Sequence, residues 1–143
     1  MCIYRFKDYQ DFDYQVSAFQ MFKTGVRPEW EDPVNSKGSE YRIELSAFKD
    51  DALLQKLWET MVFDLVVGKC PCVEEGIAGI RLVQKSKQGS LQGYRAEIWL
   101  INGQEDSDPN IKIKKYIDDR IKGDVFKDSP MQDGASVTWK DHK

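Results

Sequence analysis

The adjacent residues Trp30 and Glu31 are the pair in this sequence best suited to bind a ligand. Pro28 and Pro33 bound the stretch that contains them, and such stretches are typically loops. A carboxylate can accept hydrogen bonds from two adjacent donors, and guanine presents two on its Watson–Crick edge, the N1–H and the N2 amine. An indole that stacks on a base contributes about 1–3 kcal/mol, and a methyl group at N7 adds a cation–π attraction of roughly 0.5–2 kcal/mol. The alternative is that Trp30 anchors the core and Glu31 is a solvated loop charge.

A second candidate set lies on a predicted strand and the hairpin that precedes it. Residues 94–102 alternate in character, and Arg95, Glu97, Trp99 and Ile101 share one face. Lys85 and Lys87 begin the predicted hairpin loop over 85–93. Three cations near one hairpin can hold a phosphate chain, and phosphate contacts position a nucleotide. The alternative is an ordinary solvated sheet face.

Residue types that enzymes and metal sites require are scarce. The 143 residues include one histidine, His142, and three cysteines, of which Cys70 and Cys72 are two apart and Cys2 is distant. A histidine triad or a zinc site with several histidines is therefore excluded, and free thiols are expected in place of a four-ligand site. Neither a phosphate-binding glycine loop nor a nucleophile elbow occurs. We expect a protein that is not an enzyme and that needs no cofactor.

The composition favours a folded domain that reads a nucleotide locally. Hydrophobic residues make up 41% and charged residues 31%, and 21 Lys and Arg against 24 Asp and Glu give a net charge of −3. A general coat on a polyanion usually needs a basic field, so binding of bulk nucleic acid is disfavoured. We expect no membrane span and no signal peptide, because no apolar stretch has the necessary length. The expected location is the cytoplasm, with the nucleus as a second compartment.

Periodicity and turn residues predict an α+β domain with an antiparallel sheet and helices on one face. The predicted elements are a helix tail within 1–19, strands over 19–22 and 41–45, a helix from Asp50 or Asp51 to Val67, strands over 77–85 and 94–102, a helix from Asp108 to about Ile121, and a strand over 135–140. Trp58 and Trp139 fall on apolar stripes and are expected in the core.

Several segments, in chain order, resemble the eukaryotic translation initiation factor 4E family, whose members bind the cap of messenger RNA. The most diagnostic runs from Phe22 to Gly38, FKTGVRPEWEDPVNSKG. Further similar segments are LWET at 57–60, AGI at 78–80, AEIW at 96–99, residues 113–121 and VTWKDH at 137–142. The resemblance implies a curved antiparallel sheet with helices on its convex face, in a single cap-binding domain over 1–143.

The resemblance also assigns roles to individual residues. Trp30 would stack on 7-methylguanine, Glu31 would bind the guanine edge, and Trp99 would lie against the N7 methyl group. Arg95 matches a phosphate-binding position, and the second basic contact falls at either Lys85 or Lys87. The implied partners are capped messenger RNA and, on the helical face, the scaffold initiation factor 4G or 4E-binding-type proteins, with no DNA and no membrane.

Three departures from the family pattern leave a second function open. The family's first strand and first stacking tryptophan have no counterpart in these 143 residues, so half of the aromatic sandwich is expected to be missing and cap binding to be weak. Glu40 adds an acid near the phosphate path, and the hairpin is longer than usual. The alternative is a divergent or cap-deficient member that acts as a protein-interaction module or translational repressor, binding a partner helix through Trp58 and Val62.

Overall fold

The structure is a computed structural model that describes residues 18–46, 51–87, 90–129 and 135–142. For residues 46, 51, 86, 87 and 90–92 it describes the backbone only. The helix tail expected within 1–19 lies outside the described residues apart from residues 18 and 19, which belong to a strand.

The described residues form one antiparallel sheet and a set of helices, which confirms the predicted α+β class. The elements are β1 (Ala18–Phe22), β2 (Ser39–Ser46), α1 (Asp51–Val67), the single turn α2 (Val73–Gly76), β3 (Ile77–Lys87), β4 (Ser90–Leu100), α3 (Asp108–Tyr116) and β5 (Ser136–Asp141). The strand order is β1-β3-β4-β2-β5, and every neighbouring pair is antiparallel. The sheet therefore has β4 at its centre.

The two faces of the sheet differ in chemistry because side chains alternate along each strand. On β4, Tyr94, Ala96, Ile98 and Leu100 are buried in the hydrophobic core, as the alternation predicts. Helix α1 contributes Leu54, Leu57 and Met61 to the same core, and the third helical region contributes Ile113, Ile117 and Ile121. The opposite side, which we call the open face, carries the charged residues of three strands: Glu40, Arg42 and Glu44 of β2, Arg81 and Lys85 of β3, and Arg95 and Glu97 of β4.

The largest differences from the predicted boundaries are in the central hairpin and in the third helix. The hairpin strands extend to Lys87 and begin again at Ser90, past a register irregularity between Lys85 and Ser86, so the predicted nine-residue loop is wrong. Ladder pairing continues beyond the apolar alternation that marks the buried part of these strands. The third helix continues past Tyr116 as a π-helical segment over Ile117–Val125. Among the described helices, none has both the length and the apolar character needed to cross a membrane.

The expectation that Trp58 and Val62 form an exposed partner-binding surface is wrong. Trp58 is 2% exposed and Val62 is 3% exposed, and both belong to the core. The ring of Trp58 packs against Phe19 of β1, with 6.2 Å between centroids. Both residues are on the side of α1 that faces the sheet, so the core expectation for Trp58 is the correct one. Trp139 is half-buried and packs against the core from β5.

Candidate functional site

A cavity of about 590 Å³ lies on the open face of the sheet. Its lining includes four residues that the sequence singles out, Trp30, Glu31, Arg95 and Trp99. These residues come from a loop and from β4, and the fold brings them together. Lys85 is outside this lining, and Lys87 is described only as backbone at the end of β3. The other lining residues are Pro28, Glu29, Glu40, Arg42, Arg81, Glu97, Lys140, Asp141 and His142.

Trp30 is 57% exposed, and Glu31 beside it is also exposed. The alternative in which Trp30 anchors the core is therefore wrong. A large aromatic side chain that stays in water at the edge of a cavity is uncommon, and its ring is free to stack on a planar ligand.

Two buried polar residues of the same loop hold Trp30 and Glu31 outward. The carboxylate of Asp32 accepts hydrogen bonds from the backbone N–H groups of Arg27 and Val34, at 3.1 and 3.0 Å. These bonds hold the pKa of Asp32 below its usual value. The side-chain amide of Asn35 donates to the carbonyl oxygens of Arg27 and Glu29, at 2.8 and 2.9 Å. Because Asp32 and Asn35 satisfy the backbone from inside, the loop tip can point away from the core.

Trp99 lies on the predicted face of β4, but only 4% of it is exposed. Phe22 packs edge-on against its ring at 5.2 Å, and the ring of His142 lies 4.7 Å away. The guanidinium of Arg81 lies 5.6 Å from the centre of the same ring. The alternation along β4 gave the correct face for Trp99, but its exposure depends on these three neighbours from distant parts of the chain.

Glu97 is the centre of the polar contacts beneath the cavity, and its side chain is 1% exposed. It accepts hydrogen bonds from Nε1 of Trp99 at 2.9 Å and from Nε of Arg95 at 2.7 Å. A terminal nitrogen of Arg81 lies 3.4 Å from its carboxylate. A buried carboxylate is stable only with such partners, so Glu97 and its three neighbours form one linked group.

A second buried group joins β2 to the end of β5. Nε2 of His142 lies 3.2 Å from the carboxylate of Glu40, and Nδ1 lies 2.9 Å from the carbonyl oxygen of Asn35. Both partners are acceptors, so the imidazolium, in which both ring nitrogens donate, is the form of His142 that satisfies both contacts. Burial alone lowers the pKa of His142, but the bonds to Glu40 and Asn35 outweigh it and raise that pKa.

The same contacts act in the opposite direction on Glu40. Burial alone raises the pKa of Glu40, but hydrogen bonds from His142 and Arg42 lower it below its usual value. Arg42 donates to both carboxylate oxygens of Glu40, at 3.1 and 3.3 Å. Glu40, the acid that departs from the family pattern, is therefore ionised and neutralised within the site.

Sequence reasoning missed several residues of this site. The alternation along β4 already puts Glu97 between Arg95 and Trp99, and that signal was available. Local alternation assigns Arg42 and Arg81 each to one face of its own strand. Only the pairing of the strands puts both residues beside Glu97 of β4. His142 counts against histidine catalysis and ends the family-like segment over 137–142, but neither observation predicts its place in the site. Among the described residues, no cluster of three or more His, Cys, Asp or Glu side chains is arranged to hold a metal ion.

The family model of eukaryotic initiation factor 4E matches residues 4–143. Together with the five-stranded sheet, its backing helices and the cavity on the open face, this match defines the class of protein. The chain belongs to the eukaryotic initiation factor 4E family.

The individual proteins that match this chain have low sequence identity to it. Eukaryotic translation initiation factor 4E of Candida albicans is 30% identical over 84 residues, which are 58% of this chain and 38% of that protein. The structure of Ascaris suum eIF4E-3 with the m7G cap has a TM-score of 0.68 at 21% identity, over 88% of this chain and 62% of the other. Caenorhabditis elegans eIF4E-3 in complex with the 4E-binding protein Mextli has a TM-score of 0.66 at 18% identity, over 96% of this chain and 75% of the other. The two structures share the fold, and this chain spans under two-fifths of the Candida protein's length.

Proposed function

We propose that this chain binds the 7-methylguanosine cap of messenger RNA through its open face and acts in translation initiation. The observation that carries the proposal is the pair of exposed residues Trp30 and Glu31 at the edge of a cavity of about 590 Å³. Membership of the initiation factor 4E family supports the same role. The proposed binding unit is a single cap-binding domain over 1–143.

In the proposed complex the base is read by two neighbouring side chains. The ring of Trp30 stacks on 7-methylguanine, and the delocalised positive charge of the methylated base strengthens the stack. The carboxylate of Glu31 accepts the N1–H and an N2–H of the base, which other bases do not present together. Trp99, with 4% of its surface exposed, contributes a narrow contact to the N7 methyl group rather than a second open ring face.

Arg95 lines the same cavity and is the proposed basic contact to the phosphate chain. Its guanidinium already bonds to Glu97 at 2.7 Å, so a phosphate would share it with a carboxylate. Of the two lysines, Lys85 is the better supported second contact, because its side chain is on the open face and reaches Glu44 of β2 at 3.0 Å. Lys87 is the alternative at the end of the hairpin.

The proposal is tested by retention on immobilised 7-methyl-GTP followed by competitive elution. We expect 7-methyl-GTP to release the protein and the same concentration of GTP to leave most of it bound. A Glu31→Ala variant should pass through the column, because the carboxylate that reads the base is gone. Equal release by the two nucleotides, or unchanged retention of the variant, would overturn cap recognition.

The proposed partners on the helical face are the scaffold initiation factor 4G or 4E-binding-type proteins. The large apolar side chains that α1 exposes are Phe63, Val66 and Val67, so these residues replace Trp58 and Val62 as the proposed contacts. We place the proposed cap binding in the cytoplasm, with the nucleus as a second compartment, and propose no enzymatic reaction.

The alternative of a cap-deficient interaction module is less well supported, since its two proposed contact residues, Trp58 and Val62, are buried.

A further inference from the structure

The charged residues of the open face alternate in sign along β2 and β4, and charges that face each other across the strands are opposite in sign. In the register of the sheet, Arg81 of β3 pairs with Glu97 of β4, and Arg42 of β2 pairs with Glu97 from the other side. In the next row, Arg95 of β4 pairs with Glu44 of β2. Side chains opposite each other on one face are in contact range, and opposite charges there attract. We call these five residues, together with Lys85 and Glu40, the charge ladder.

Each cation of the charge ladder lies within ion-pair distance of a carboxylate of the same ladder. The pairs are Arg95 with Glu97 at 2.7 Å, Lys85 with Glu44 at 3.0 Å, Arg42 with Glu40 at 3.1 Å and Arg81 with Glu97 at 3.4 Å. Burial alone lowers the pKa of Arg42, but the bond and charge of Glu40 and the charges of Glu97 and Glu44 raise it. Arg42 therefore faces carboxylates on three sides.

A phosphate that contacts a cation of the charge ladder also lies close to the carboxylate that is paired with that cation. If it shares an arginine, it lies near a like charge, and like charges at such distances repel. If it displaces the carboxylate, Glu97 loses a partner while its side chain is 1% exposed, which a buried charge resists. Either way, most of the attraction between the cation and the phosphate is offset.

We propose that this site recognises the methylated base and is nearly indifferent to the number of phosphates attached to it. The inference rests on the proposed cap binding and specifies its ligand class: 7-methylguanosine monophosphate and triphosphate bind with similar affinity. The carboxylates Glu44 and Glu97 are the specificity-determining residues, because they pair with Lys85, Arg95 and Arg81, the ladder cations that would otherwise strengthen binding with each added phosphate. It also follows that binding depends little on salt, since few counterions are released when little phosphate charge is neutralised.

The experiment compares 7-methyl-GMP with 7-methyl-GTP, and each with its unmethylated counterpart, by fluorescence titration at two salt concentrations. For the unmodified chain we expect 7-methyl-GTP to bind less than about fivefold more tightly than 7-methyl-GMP. In Glu44→Gln, which releases Lys85 from its carboxylate, this ratio should rise about tenfold, in the range of one new charge-assisted bond. Glu97→Gln should act in the same direction, and Glu44→Gln keeps the test decisive if that buried variant does not fold.

Glu59→Gln is the matched control, since it makes the same charge change on α1, where Glu59 accepts a bond from Gln55 outside the cavity. A ratio above about fivefold in the unmodified chain would overturn the inference, as would equal ratios in Glu44→Gln and Glu59→Gln. Failure of cap recognition has a different signature: 7-methyl-GMP would then bind no better than GMP. That result would overturn the proposed function and the inference with it.

Discussion

The indole Nε1 of Trp99 donates a hydrogen bond to Oε1 of Glu97, two residues earlier on the same strand, at 2.9 Å. Alternation along β4 puts both side chains on the open face, so the bond runs along the floor of the cavity. Glu97 also holds Arg95 and Arg81. One carboxylate therefore positions an aromatic ring and two cations of the proposed binding site.

Replacement of Glu97 by Ala should destabilise the protein by about 1–3 kcal/mol, because the buried indole N–H of Trp99 loses its acceptor. Arg81 and Arg95 also lose a carboxylate partner, but their side chains are partly exposed to water, so this loss costs less stability. The measurement is the free energy of unfolding in urea. Glu97→Gln, which keeps an oxygen for the indole, should lose clearly less stability. Equal stability of Glu97→Ala and Glu97→Gln would contradict a contribution of the bond to Trp99.

The contact between His142 and Glu40 should give the stability a characteristic pH dependence. The pKa of His142 is raised above its ordinary value of 6.5, so its contribution is complete below 6.5 and is lost as the pH rises through the higher folded value. The pKa of Glu40 is lowered below 4.5, so its contribution is complete above 4.5 and is lost as the pH falls through the lower folded value.

We therefore expect the stability of the unmodified chain relative to His142→Gln to be greatest between the ordinary values of 4.5 and 6.5. Urea unfolding of both proteins across this range and up to alkaline pH is the measurement. The advantage of the unmodified chain should decline at alkaline pH. An advantage that grows as the pH rises would contradict the imidazolium assignment.

Gly79 leaves room for the ring of Phe22, which packs edge-on against Trp99 at 5.2 Å. A Cβ atom on Gly79 would overlap that ring, so Phe22 must move. We expect Gly79→Ala to cost about 1–3 kcal/mol of stability and to change the tryptophan fluorescence, as overpacking displaces the ring. Gly123→Ala is the control, because the nearest atom to its added Cβ is 3.5 Å away. Equal effects of the two substitutions would contradict the close contact.

Asn35 fixes the loop that carries Trp30 and Glu31. In Asn35→Ala the carbonyl oxygen of Arg27 loses its side-chain donor, and that of Glu29 keeps only the backbone N–H of Asp32. The loop should therefore open, and the endoproteinase Glu-C should cut after Glu29 or Glu31 more rapidly. Affinity for 7-methyl-GTP should fall about tenfold although Asn35 is not among the cavity-lining residues. Ser36→Ala, which removes only a 3.4 Å bond on the exposed side of the loop, should change neither quantity.

How much was predictable from the sequence depended on the range of the interactions involved. The faces of β4, the apolar stripe of α1 that carries Trp58 and the existence of the third helix follow from local periodicity, and the structure confirms them. The burial of Trp99 depends on contacts between segments far apart in sequence, such as that with His142. The exposure of Trp30 depends on hydrogen bonds within its own irregular loop, which periodicity does not describe. The ion pairs of Glu97 and Glu44 depend on strand register, which local periodicity does not specify.

The most direct test of cap recognition is the ratio of the dissociation constants for GTP and 7-methyl-GTP, measured for the unmodified chain, Trp30→Ala and Glu31→Gln. We expect the unmodified chain to prefer the methylated nucleotide by about 2- to 30-fold, the range of a cation–π term. Trp30→Ala should abolish that preference, and Glu31→Gln should weaken binding of 7-methyl-GTP by about 10- to 100-fold through loss of a charged acceptor. Equal affinities for the two nucleotides in the unmodified chain, or variants that bind as it does, would contradict cap recognition by Trp30 and Glu31.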